Sequence, residues 1–277
     1  MPVDVCKLCL QTNDLRDSHL LPAAVWRMLI EPSHDLHHPI IMTEKLAVTS
    51  SKQIHDYVLC GDCEQRLNRN GEDYTISLMR GARGFPLLDR LRIAQCIAEH
   101  GSVRVYSGSA IGVDTDKLAY FALSVVWRAG AHQWRNFYSD KRTYSIQLGA
   151  FLEPMRQFLL GTGPFPANVS VNVQAASDDH SQKSAYTPAL AAGTPCPIYG
   201  FLTCGIHFAV AMGNPLPPGY LETCCYNSAA KVLFEKNLHG QSTRAFNRLY
   251  ATTRVTGQLR TRSRWSRPTT EATQADD

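Results

Sequence analysis

The stretch VLCGDCEQRLNRNGEDY, Val58–Tyr74, sets Cys60 and Cys63 at the lip of what reads as a helix and follows them with Glu64 and Glu72. A second CxxC pair, Cys6 and Cys9, stands near the start of the chain. Thiolates at i and i+3, held by a tight turn, can face one ion, and two such knuckles supply the four tetrahedral ligands of a structural zinc. A thioredoxin-like redox motif is the weaker reading, because CKLC has no strand before it and helix after it. The long stretch between the pairs suits a treble-clef-like arrangement carrying an insertion.

The other cysteines, Cys96, Cys196, Cys204, Cys224 and Cys225, are scattered and read as small apolar fillers. Disulfides are an unexpected use for any of them in a reducing compartment. The N-terminal segment turns polar at once and lacks the pattern of a secretory leader, so a cytoplasmic protein is expected. LAYFALSVVW, Leu118–Trp127, is too short to span a bilayer and reads as a buried helix. With 277 residues, 44% of them hydrophobic, the chain can bury a sizeable core. A formal net charge of +4 permits a nucleic-acid partner without demanding one.

Between the knuckles, DLRDSHLLPAAVWRML (Asp14–Leu29) runs from a polar turn through His19 to Pro22, at the first turn of an expected helix. CKLC, then SHLLP, then LCGDCE resembles the ββα-metal core of HNH-type nucleases that carry two zinc knuckles. The resemblance covers the first quarter of the chain. It implies that His19 is the general base that activates water against a phosphodiester. Ser18 stands where that family commonly has Asp, and Glu64 where many members place a metal-binding histidine. By the same resemblance Glu64 would hold Mg²⁺ or Mn²⁺, with Asp17 or Glu72 as helpers. Read without it, His19 bonds the turn and Glu64 is an acid on a first helical turn, where the macrodipole favours it.

Arg66 and Arg69, one helical face apart at spacing three, are the expected nucleic-acid contacts, with ordinary surface arginines as the alternative. His34, His37 and His38 in EPSHDLHHPI read as a solvated loop rather than a second metal site, and SSKQIHDYVLC as a loop with His55 entering a short strand.

A composition shift at GARGFP, Gly81–Pro86, bounds a zinc module over 1–80. Residues 81–250 read as a larger α+β domain of mixed helices and antiparallel sheet, and 251–277 as a disordered tail, basic around Trp265 and then acidic. In the larger domain Asp114 is expected to cap a helix running to Gly130, and Gly161 to end the helix of LGAFLEPMRQFLLG. Asn168–Ala175 and Ile198–Met212 read as β-structure, the latter with His207 as a satisfied core or sheet-face residue, and SDDHSQKS between them as a loop. Trp127, Arg128 and Trp134 read as core rather than a base-stacking surface. The order of these segments up to about Cys225 is similar to bacterial proteins of unassigned function from mobile-element or defence neighbourhoods, which implies an architecture and no particular activity.

Two functions follow as expectations. One is a nucleic-acid-directed zinc protein with a metal-dependent, HNH-like endonuclease centre at His19 and Glu64, acting on DNA or RNA. The other is a non-catalytic, zinc-stapled interaction protein with a degenerate core, binding a protein, a second copy of the chain or a small ligand. Neither involves a membrane.

Overall fold

The computed structural model describes residues 1–30, 39–42, 46–136, 143–226, 231–240, 244 and 254–255. The chain opens with strands β1 (Val3–Val5) and β2 (Thr12–His19) and helix α1 (Ala23–Met28), followed by β3 (Ile40–Met42), β4 (Leu46–Thr49) and β5 (His55–Cys60). Helix α2 (Gly61–Leu67) passes through a π-helical turn, Asn68–Glu72, straight into α3 (Asp73–Leu78). The remainder begins with α4 (Pro86–Ile93), β6 (Ala98–His100), β7 (Val103–Ser107), α5 (Thr115–Ala131), β8 (Trp134–Arg135) and β9 (Thr143–Tyr144). It continues with α6 (Leu152–Leu160), β10 (Val169–Ala176), α7 (Asp179–Gln182), β11 (Ala185–Leu190), β12 (Ile198–Thr203), β13 (Ile206–Met212), β14 (Val232–Lys236) and β15 (Arg254–Val255).

The architecture is α+β. A seven-stranded mixed sheet runs in the order β11-β12-β13-β10-β14-β7-β6. All of its neighbours are antiparallel except β10 and β14. A separate three-stranded sheet, β1-β2-β5, carries the first cysteine pair ahead of β2 and delivers the second at the end of β5. Helix α5 lies between these parts. Its sequence is apolar nearly all round, so it is stable only when covered on all sides, and from Leu118 to Ala129 every residue is buried. Phe121 meets Phe201 and Phe208 of the sheet edge to face. The four-cysteine region and the large sheet consequently share one hydrophobic core.

On the other side α5 meets the π turn. A Cβ added to Gly71 would lie 2.8 Å from the Phe121 nitrogen and 2.9 Å from the Lys117 carbonyl oxygen, so only glycine allows the two backbones to approach this closely. The wider π turn sets the register that follows, which carries Glu72 to α5.

The capping expectations correspond to the structure. The Asp114 carboxylate accepts from the Lys117 amide at 3.1 Å, and Gly161 ends α6 with φ +79°. Trp127, Arg128 and Trp134 are all buried. Two expectations change. Ile198–Met212 is an antiparallel hairpin rather than one strand, broken at Cys204 and Gly205, whose φ values of 43° and 92° are the left-handed pair a tight hairpin turn needs. SDDHSQKS is not simply a loop: Asp178 accepts from the Ser181 amide and caps the short helix α7. Of the expected disordered tail only Arg254–Val255 is described, as a strand parallel to Leu46–Ala47; the rest, with Trp265, lies outside the described residues, as do His34, His37 and His38.

Candidate metal centre and histidine cluster

The two CxxC pairs meet. One sulfur from each of Cys6, Cys9, Cys60 and Cys63 lies within 4.8 Å of every other. A tetrahedral ion with sulfur at about 2.3 Å requires sulfur separations of about 3.8 Å, close to this spacing. The Cys9 and Cys60 sulfurs are 3.9 Å apart, far beyond a disulfide bond of about 2.05 Å. Local chain geometry builds the first knuckle: Leu10 takes φ +62°, and its amide donates to the Cys6 carbonyl at 2.9 Å. The Lys7 amide donates to the Val58 carbonyl at 3.1 Å, binding this knuckle to β5.

The electrostatics suit a cation. Hydrogen bonds from the Cys63 thiol first, and from the amides of Cys9, Cys60 and Leu8, pull the Cys6 thiol down to about 4 despite burial. Burial drives the Cys60 thiol the other way, and the hydrogen bond that Cys63 gives to Cys6, with burial behind it, does the same for Cys63. Four clustered thiolates, three of them buried, repel one another unless a dication sits among them, and the soft sulfur set selects zinc over Mg²⁺. Arg156 adds positive charge beside Cys9 and donates to the Leu8 carbonyl at 2.6 Å while gripping Glu153 through two nitrogens.

The same strands build a second cluster. Strands β2 and β5 pair Leu15 with Cys60 and Arg16 with Leu59, then slip at a bulge so that Asp17 meets Tyr57 and His19 meets His55. The His19 and His55 rings stack with centroids 5.7 Å apart and an interplanar angle of 26°. Asp17 Oδ1 lies 2.6 Å from His55 Nδ1. Burial lowers the pKa of His19, with His55 and Arg128 adding to the effect and Asp17 opposing it, so its imidazole is neutral at neutral pH.

Behind His19 lies Arg128, 1% exposed on α5. It donates to the His19 carbonyl at 2.8 Å and to Glu72 Oε2 at 3.3 Å. Removing one partner of such a buried pair leaves an uncompensated charge, at a cost of about 3–5 kcal/mol. Glu64 points into the same interior. Burial raises its pKa, Arg128 and the Ser18 hydroxyl oppose the rise, and its Oε1 has no hydrogen-bond partner among the described residues.

Of the residues singled out in the sequence, all four cysteines converge, and His19, Glu64 and Glu72 gather around Arg128. Asp17 is taken up by His55 and Glu72 by Arg128, so neither carboxylate is free to assist Glu64. The four cysteines form the one compact His/Cys/Asp/Glu ligand set among the described residues. Arg66 and Arg69 are both exposed. His207 is a half-buried sheet residue on β13, as expected, but its Nδ1 has no partner among the described residues.

Sequence reasoning passed over His55 and Arg128 as members of the site. His55 sits five residues before Cys60, as His19 sits beyond Leu15; pairing the two knuckle-bearing strands would have brought the histidines into range. Arg128 in the last turn of an apolar helix was a signal by itself, because a buried guanidinium requires partners.

Two outcomes follow from this geometry. Cys60→Ser lowers bound zinc from about one ion per chain and lowers the unfolding temperature, read by metal analysis and thermal denaturation; unchanged zinc content would contradict the four-sulfur site. Ionised Glu64 is disfavoured by its surroundings, and a carboxyl whose folded pKa is raised weakens the fold as pH climbs above the ordinary carboxylate range. In buffer free of Mg²⁺ and Mn²⁺, Glu64→Gln therefore gains stability over the parent between acid and neutral pH in urea titrations. A gap that stays constant with pH would show that Glu64 carries no such cost.

No helix among the described residues is long and apolar enough to cross a membrane. No protein-family model, curated protein or solved structure matches this chain.

Proposed function

We propose that this protein is a nucleic-acid-directed phosphodiesterase with a treble-clef-like, HNH-like zinc module whose general base is His19. The observation that carries this reading is the assembly of β2, β5 and the α2–α3 helix around four cysteines, with a neutral histidine at the end of β2 opposite a second histidine. That is the ββα order the resemblance implies, with zinc ligands before the first strand and at the start of the helix.

The chemistry follows from the residues. A neutral imidazole accepts a proton from water as its oxygen attacks phosphorus, a contribution of about 10²–10⁴ in rate. Arg128 fixes the His19 backbone from behind through the carbonyl, which sets where the ring stands. Glu64 Oε1, buried and unpaired, is the oxygen suited to a hard divalent ion. When bound there, Mg²⁺ or Mn²⁺ would polarise a phosphate oxygen. Exposed Arg66 and Arg69 follow Cys63 on the helix and offer charge to the nucleic-acid backbone. A cytoplasmic setting and a role in bacterial defence belong to the same proposal, and they rest on the resemblance alone.

One observation favours the alternative, a zinc-stapled interaction module. Asp17 and Glu72 are occupied by His55 and Arg128, so Glu64 would bind a divalent ion without a second free carboxylate from this cluster.

The two readings diverge in one assay. Zinc-loaded protein is incubated with plasmid, single-stranded DNA and RNA in Mg²⁺ or Mn²⁺, beside His19→Ala. The proposal predicts cleavage of at least one substrate and a loss of about 10²-fold or more in His19→Ala. Absence of cleavage by the parent, or equal cleavage by both proteins, favours the interaction module.

A further inference from the structure

The bulge between Arg16 and Asp17 decides what faces His19. Had the pairing of Leu15 with Cys60 and Arg16 with Leu59 continued, His19 would lie opposite Asp56. A slip of one residue transfers a strand's side chains to the other face. Here the slip sets His19 opposite His55, and strand alternation keeps Asp17, two residues before His19, on the same face. Three ionisable side chains are thereby collected on one side of the strand pair. Their exposure fits contact with a large substrate: 39% for His55, 48% for Asp17, with His19 half-buried beside them.

We propose that His55 is a second catalytic residue of this centre, held by Asp17 and placed to protonate the oxygen that leaves phosphorus. The inference rests on the phosphodiesterase reading of His19. Asp17 Oδ1, at 2.6 Å, commits Nδ1 of His55 and fixes the ring, which leaves Nε2 as the nitrogen available to substrate. The near-parallel rings, 5.7 Å apart, allow one phosphodiester to lie across both.

The step balances. Water gives one proton to the His19 ring as its oxygen bonds phosphorus. The bond from phosphorus to the departing nucleotide oxygen breaks, that oxygen keeps the electron pair, and it takes the Nε2 proton of the His55 imidazolium, which is left as the neutral ring with its proton on Nδ1 toward Asp17. One water is consumed, and solvent returns the proton from His19 to His55. As an isolated exposed ion pair, Asp17 and His55 would contribute little to stability, so structure alone gives little reason for the arrangement.

A leaving-group comparison tests this. An oligonucleotide releases a poor alkoxide that needs a proton, whereas bis(4-nitrophenyl) phosphate releases a phenolate that departs unaided. His55→Ala and His55→Gln should lower kcat on the oligonucleotide by about 10²-fold or more and lower it on the aryl diester by a factor at least about tenfold smaller. His19→Ala should lower both, since water must be activated in either case. Residual turnover of the aryl diester also reports that the His55 variants are folded.

For Asp17, a positioning residue, the readout is the ¹⁵N spectrum of the His55 ring. The neutral ring carries its proton on Nδ1 in the parent, shifts toward the Nε2 form in Asp17→Asn, and returns in Asp17→Glu. Equal losses on the two substrates, or no loss on the oligonucleotide, in the His55 variants would overturn the role of His55 while leaving His19 as base. A parent inactive on both substrates would overturn both readings, and an unchanged His55 ring in Asp17→Asn would remove Asp17 from the proposal.

Discussion

The convergence of four sulfurs is the constraint on which the N-terminal geometry depends. Cys6 and Cys9 precede β2, Cys60 ends β5 and Cys63 lies in the first turn of α2, so an ion held by the four sulfurs would fix three elements at one point. The three-stranded sheet is small, with most of β1 and β2 exposed, and cannot bury enough apolar surface to hold itself. A structural zinc compensates for such a shortage. The His19–His55 face lies a few residues further along the same two strands, so its position is inherited from the metal centre.

Helix α5 supplies the second constraint. Its apolar surface joins the zinc region to the large sheet, and its buried arginine reaches across that junction to the His19 carbonyl and Glu72. The π turn makes this reach possible, because Gly71 brings the two helices into backbone contact and the following residue is Glu72. Stability and site geometry therefore share the same residues. Burying Glu64 beside Glu72 is unfavourable for two carboxylates, and Arg128 offsets part of that cost.

Much of this was legible in the sequence where the governing interaction is local. The CxxC pairs, the Asp114 cap, the left-handed Gly161 and the apolar run of α5 are each set by residues within a few positions of one another, and each takes the expected form. What escaped depends on pairing between distant segments or on one residue's backbone. The left-handed Cys204 and Gly205 turned an apparent long strand into a hairpin. A single bulge chose His55 rather than Asp56 as the neighbour of His19, a choice that no spacing within either segment encodes. Arg128 read as core, and it is core; its polar task appeared only once His19 and Glu72 were set around it.

In the proposed function, strands held by the four-cysteine centre present His19 and His55 together to a phosphodiester. Imidazole-selective ¹H–¹⁵N spectra of the zinc-loaded protein, recorded before and after adding a short single-stranded oligonucleotide at low salt, test it directly. The ring signals of His19 and His55 should shift together at the same oligonucleotide concentration, while that of the half-buried sheet residue His207 stays in place. Binding that leaves both rings unmoved, or moves His207 instead, would contradict it.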